Sequence, residues 1–123
     1  MLLSRGLFVL LTLAGFALFG AAAPSASAED GASAAYEIRA SRLLFDKSSL
    51  SVVAGSTITV KLINEDYLVP HNIGVDILGV HPTEVCAGPC EATLVFTAPA
   101  AGTYQFFCSL HQGMQGDLFV LAP

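Results

Sequence analysis

The chain has 123 residues, a length that predicts a single domain. Residues 29–123 carry four Lys and Arg residues against ten Asp and Glu residues, which leaves a net charge of −6. An acidic surface argues against nucleic-acid binding, because phosphate contacts need a basic face. The negative charge could steer a basic protein partner toward this protein. Alternatively, it could serve only to keep the protein soluble.

The first 28 residues have the pattern of a secretory signal peptide. Arg5 is followed by a long uncharged apolar run and then by small residues that end in Ala-Ser-Ala. This pattern predicts export to the periplasm or the extracellular side of the membrane, with cleavage after Ala28. A retained membrane anchor is the alternative, because the apolar residues 6–23 reach the lower limit of a spanning helix.

The remaining chain is predicted to be an all-β domain at residues 36–123, after a small, polar and flexible lead-in at residues 29–35. Apolar and polar residues alternate most clearly in residues 57–64. Seven strands are predicted, at residues 36–45, 50–53, 57–64, 71–78, 93–96, 104–108 and 118–121. About seven to eight short strands separated by turn signals favour a β-sandwich.

The three cysteines divide into a pair and a single residue. Cys86 and Cys90 flank a Gly-Pro turn signal, and in an exported protein they favour a disulfide that closes a loop. A second metal site that includes His81, or two free thiols, are alternatives. A disulfide between Cys86 and Cys90 leaves Cys108 unpaired, and an unpaired thiol in an exported protein needs an explanation.

Metal ligation would supply that explanation. Cys108, His111 and Met114 follow the pattern C-x2-H-x2-M on a short loop between two predicted strands. Thiolate, imidazole and thioether donors select copper over hard cations, although zinc also binds Cys and His. A trigonal copper site with a weak axial methionine needs a second histidine. His71 is the candidate, because it shares the inward-facing parity of Ile73 in another predicted strand.

With these residues the chain resembles the cupredoxins, the small blue copper proteins. The resemblance rests on His71 followed by Asn72, on the C-x2-H-x2-M loop, and on Gly116 before the closing apolar strand. It extends over most of the chain after residue 40. The short loop is similar to that of amicyanin, whereas plastocyanins have a longer gap before the methionine.

The resemblance implies a Greek-key version of the sandwich, with a tyrosine corner at Tyr104 as an alternative to an ordinary aromatic core residue. It also implies one type 1 copper ion, with Met114 as the weak axial donor. Asn72 would tie its strand to the cysteine loop by hydrogen bonds. The predicted ligands are His71, Cys108, His111 and Met114.

The function implied is a one-electron carrier between redox protein partners, and not an enzyme. His111 would be the electron port near the surface, and the protein would be a monomer that contacts a membrane only if its N-terminal segment is retained. An apolar docking rim is predicted from Leu68, Val69, Leu110 and Gly113.

Other copper functions fit the same donors to different degrees. A copper-binding or copper-delivery protein, or a cupredoxin-like accessory module in metal uptake, would use the same four residues without a role in electron transfer. A binuclear copper centre is disfavoured because it needs a second cysteine where the chain has Tyr104. The length of the chain excludes a multicopper oxidase or a copper nitrite reductase, both of which need several domains.

Overall fold

The structure is a computed structural model that describes residues 31–123 together with Gly15 and Gly20. Apart from those two glycines, the predicted signal peptide lies outside the described residues. In the part of the chain that is described, no helix is long and apolar enough to cross a membrane. The strands are β1 (Ser33–Ser41), β2 (Leu44–Phe45), β3 (Ser49–Val53), β4 (Thr57–Asn64), β5 (Pro70–His71), β6 (Gly74–Val75), β7 (Cys86–Ala87), β8 (Cys90–Thr97), β9 (Gly102–Phe107) and β10 (Gln115–Leu121).

The strands form two four-stranded sheets and one small ribbon. The first sheet has the order β2-β1-β4-β8, the second has the order β3-β10-β9-β6, and β5 pairs with β7 in the ribbon. The β1–β4 and β3–β10 pairs are parallel, and the other paired strands are antiparallel. The prediction of an all-β sandwich is confirmed.

The core is built by alternation along the strands, as the clearest pattern in the sequence predicts. In β4, Ile58, Val60 and Leu62 are at most 2% exposed, while the residues between them are half-buried. Phe106 of β9 and Leu118 of β10 belong to the same buried cluster. Each such side chain contributes roughly 1.5–3 kcal/mol of transfer free energy, so the core gives the sandwich a stiff frame.

The first predicted strand is interrupted where the sequence gives no turn signal. Strand β1 ends at Ser41, and Arg42 and Leu43 form a two-residue connection to β2 with φ angles of 54° and 62°. Two-residue hairpin loops with positive φ normally contain Gly, Asn or Asp. Strand β1 also begins at Ser33, inside the predicted lead-in, because its first residues pair with the start of β4.

The predicted strand at residues 71–78 is also wrong as a continuous element. It divides into β5, in the ribbon, and β6, at the edge of the second sheet. The break follows from hydrogen bonds to Thr83, whose carbonyl oxygen accepts from the Asn72 side chain and whose hydroxyl accepts from the Ile73 N–H. Strand β7 lies in the segment predicted as a loop, and it pairs with β5.

The connection from β8 to β9 contains the expected tyrosine corner. The Tyr104 hydroxyl donates a hydrogen bond of 2.9 Å to the carbonyl oxygen of Ala100, four residues earlier in the chain. The ring is partly buried and packs against the core. The side chain therefore fixes the turn that leads into β9, at whose other end Cys108 lies.

Candidate metal centre

The loop between β9 and β10 folds back on itself and brings three predicted ligands into one turn. The N–H of Cys108 donates to the carbonyl oxygen of Met114 at 2.9 Å, and the N–H of Met114 donates to that of His111 at 3.2 Å. Gly113 has a φ of 92°, a conformation that glycine adopts without steric cost. The conformation of the loop is therefore stabilised by hydrogen bonds within its own backbone.

The thiol of Cys108 faces two imidazole rings that lie next to each other. Its Sγ atom is 3.8 Å from Nδ1 of His71 and 3.6 Å from Nδ1 of His111. The three donor atoms lie within 4.8 Å of one another, and the two ring centroids are 4.7 Å apart. Within residues 31–123, no other group of His, Cys, Asp and Glu side chains is arranged to hold a metal ion.

The burial of the donors suits a soft metal ion kept away from water. His71 is 0% exposed, Cys108 5% and Met114 3%, whereas His111 is only partly buried. One thiol, two imidazoles and a thioether are the donor set of electron-transfer copper sites. The four residues therefore form a site compatible with one type 1 copper ion, while the role of each residue as a ligand stays a prediction.

Asn72 joins the segment that carries His71 to the cysteine loop. Its side-chain carbonyl oxygen accepts the N–H of Ser109 at 2.8 Å, and its amide nitrogen donates to the Ser109 hydroxyl at 2.7 Å. The residue is 4% exposed. These two hydrogen bonds link the segment next to His71 to the loop that follows Cys108. The supporting role that the resemblance implies for Asn72 stays a prediction.

Sequence reasoning missed Asp66, which contacts the buried histidine. Its Oδ2 atom lies 2.8 Å from Nε2 of His71 and also accepts the N–H of Leu43. The Leu43 N–H and then the bond from His71 hold the pKa of the Asp66 carboxyl below its usual value, so the group is charged at neutral pH. The only signal was an acidic residue five positions before His71, in a segment without strand periodicity.

Cys86 and Cys90 form a disulfide, as predicted, and Cys108 is the free cysteine of the described part of the chain. The bridge closes the turn between β7 and β8, and Cys86 is the register partner of His71 in the ribbon. The side-chain amide of Asn64 donates to the carbonyl oxygens of Val69 and Cys86. The disulfide therefore stabilises the ribbon that carries His71, and the alternative of a second metal site at these cysteines and His81 loses its thiolate donors.

The surface around the loop is partly apolar. Leu110, next to His111, is 43% exposed, and Leu68, which precedes the ribbon, is 67% exposed. Val69 is half-buried, and Gly113 is exposed at the tip of the loop. The predicted rim residues are thus accessible to different extents, and their use in docking stays a prediction.

A β-sandwich that brings a Cys, a His and a Met on the loop between its last two strands together with a second His from a separate ribbon defines the class of small copper-binding β proteins. The family model of the cupredoxin-like domain matches residues 10–120. The chain therefore belongs to the cupredoxin family.

Individual relatives agree with this assignment. The chain is 38% identical over 80 residues to the chloroplastic plastocyanin of Hordeum vulgare, covering 58% of this chain and 49% of that protein. The chain thus spans about half the length of that relative. Among solved structures, the auracyanin of Roseiflexus castenholzii has a TM-score of 0.66 at 27% identity, covering 74% of this chain and 99% of that chain. Auracyanin A of Chloroflexus aurantiacus, described as a blue copper protein, has a TM-score of 0.65 at 25% identity, covering 72% and 99%.

Proposed function

We propose that this protein is an exported one-electron carrier with a mononuclear type 1 copper site. The observation that carries the proposal is the position of the Cys108 thiol, with Nδ1 of His71 and of His111 both within 3.8 Å of its sulfur. A copper ion bound there would supply one-electron chemistry by alternating between Cu(II) and Cu(I). The relatives, which include a plastocyanin and blue copper auracyanins, support the same kind of function.

Each donor has a distinct role in the proposal. Cys108 would supply a thiolate to the copper ion, and His71 and His111, whose Nδ1 atoms face the Cys108 sulfur, would supply two imidazoles. Met114 would supply a thioether whose weak binding to a copper ion tunes the reduction potential. Asn72 holds the two parts of the chain that carry these donors at a fixed separation, because its hydrogen bonds to Ser109 span them.

The surroundings of the site favour an electron carrier over an enzyme. The Cys108 thiol and the His71 ring are buried, so a substrate has little direct contact with these two donor side chains. His111 is the donor side chain nearest to solvent, so electrons enter and leave at its ring. A redox protein partner docks on the apolar surface beside it, to which Leu110 contributes.

Export is supported by two independent features. The first is the pattern of a signal peptide in residues 1–28. The second is the disulfide between Cys86 and Cys90, because disulfides persist in oxidising compartments outside the cytosol. We propose a monomeric protein in the periplasm or on the extracellular side of the membrane.

The test of this function is a visible absorption spectrum after addition of Cu(II), followed by voltammetry. We expect an intense thiolate-to-copper band and a reversible one-electron wave. Rapid self-exchange between the oxidised and reduced protein would support a carrier. A protein that transfers Cu(I) readily to an acceptor but exchanges electrons slowly would instead be a copper-delivery protein. A colourless protein that binds copper or zinc would contradict the type 1 site.

The proposed role of the Met114 thioether has a separate test. We expect Met114→Leu to keep the visible band, because the thiolate and both imidazoles remain, and leucine preserves the buried volume. Loss of the thioether should weaken binding of Cu(II) relative to Cu(I) about tenfold, which raises the potential of a one-electron couple by about 59 mV. Voltammetry measures the shift, and an unchanged potential would argue that Met114 is not bound.

A further inference from the structure

The carboxylate of Asp66 joins the buried histidine to a turn in another part of the chain. Its Oδ2 atom is 2.8 Å from Nε2 of His71, and its two oxygens accept the backbone N–H groups of Arg42 and Leu43. The Asp66 side chain is 12% exposed and the His71 side chain 0%. The contact between them is therefore largely shielded from water.

The turn that Asp66 binds is itself conformationally costly. Arg42 and Leu43 both have positive φ angles, which cost non-glycine residues roughly 1–2 kcal/mol each. A carboxylate that accepts both N–H groups offsets this cost and is in turn held in place by them. The N–H of Asp66 also donates to the side-chain oxygen of Asn64 at 3.0 Å. Asp66 is thus a fixed anchor and not a mobile surface carboxylate.

The contact also determines which nitrogen of His71 carries the proton. A carboxylate only accepts hydrogen bonds, so Nε2 must hold the proton. In the neutral ring, Nδ1, which faces the Cys108 sulfur at 3.8 Å, then carries the lone pair that a metal ion can bind. A carboxylate at the distal nitrogen makes a ligand imidazole more basic, and a more basic ligand favours the more highly charged oxidation state of the metal.

We infer that Asp66 is a positioning residue that fixes the ring orientation and tautomer of His71 and lowers the reduction potential of the site. The inference rests on the proposed copper function. It assigns to this chain a control of the potential that acts through the buried His71 and not through the partly buried His111. The β1–β2 turn contributes to this positioning of His71, because its N–H groups hold the Asp66 carboxylate in place.

The electrochemical test compares Asp66→Asn with Asp46→Asn, both loaded with Cu(II). Asp46 is a matched control, because it also accepts a backbone N–H in the β1–β2 region, from Arg39, and is not a hydrogen-bond partner of His71. We expect Asp66→Asn to keep the visible band and to lower the ratio of Cu(II) to Cu(I) binding constants at least about tenfold. A tenfold fall in this ratio of binding constants corresponds to a rise of about 59 mV in the reduction potential of a one-electron couple. Asp46→Asn should leave the potential unchanged.

A potential that does not rise in Asp66→Asn, with the visible band intact, would overturn the inference while leaving the copper function standing. A wild-type protein without the band would count against the copper function itself.

The positioning role has a test that needs no copper, namely nitrogen and proton NMR of the imidazole groups in the wild-type apoprotein. We expect a proton on Nε2 of His71 that exchanges with solvent at least about tenfold more slowly than the ring proton of His111. A His71 ring with its proton on Nδ1, or with a rapidly exchanging Nε2 proton, would overturn the positioning role whether or not Asp66→Asn folds.

Discussion

Replacement of Cys108 by serine is expected to abolish the visible band of the Cu(II) protein and to lower Cu(II) affinity by more than about a hundredfold, beyond the 10–100-fold that loss of a supporting contact typically costs. A serine hydroxyl does not ionise at neutral pH, and its oxygen is a hard donor that supplies neither the charge nor the covalency of a thiolate. The rest of the site should remain, because serine is smaller than cysteine and the loop is held by its own backbone bonds.

The matched control is the double variant Cys86→Ser with Cys90→Ser. It removes the two other cysteines of the chain but none of the proposed donors. This variant should lose stability and keep the band. The absorption spectrum and a copper titration measure both variants. An intense band in Cys108→Ser would show that the thiolate ligand had been assigned to the wrong cysteine.

The second large effect is expected from Gly116→Ala, at the start of β10. A Cβ atom at this position would overlap the ring of Phe106, its register partner in β9, and would lie 2.7 Å from the carbonyl oxygen of Ser48. Phe106 is 1% exposed and has the ring of Phe45 at 5.7 Å, so it has little room to move. We expect a loss of about 3 kcal/mol in the free energy of unfolding.

Gly102→Ala provides the comparison for this stability change. It lies at the start of the same β9–β10 pair, and its added Cβ would meet nothing closer than 3.6 Å. We expect its free energy of unfolding to stay within about 0.5 kcal/mol of the wild type. Denaturant unfolding of the apoproteins measures both changes. Equal effects at the two positions would mean that the Phe106 ring shifts easily, and that the core beside the copper loop is loosely packed.

Much of the architecture follows from local patterns that are visible in the sequence. The alternation of apolar and polar residues predicted β4, because Ile58, Val60 and Leu62 face the core while the residues between them do not. The three candidate metal donors on the β9–β10 loop could be identified because they occupy one short stretch of the sequence. His71 could be added because it shares the buried parity of Ile73, and both are 0% exposed in the structure.

The features that escaped prediction depend on partners distant in the chain. The turn at Arg42 and Leu43 contains no residue typical of its backbone conformation, and its N–H groups bind a carboxylate more than 20 positions away. The division of the strand at residues 71–78 depends on Thr83 and Ser109. Asp66 gives no periodic signal, since its importance comes from a contact with His71 that only the folded ribbon creates.

The distribution of the donors between two parts of the fold links metal binding to the assembly of the domain. Cys108, His111 and Met114 come from one loop, whereas His71 comes from a ribbon that belongs to neither large sheet. A chain in which the ribbon had not docked would offer a metal ion three donors at most. Because an ion that binds all four donors is bound only by the fully docked state, its binding free energy adds to the cooperativity of folding as well as to its stability.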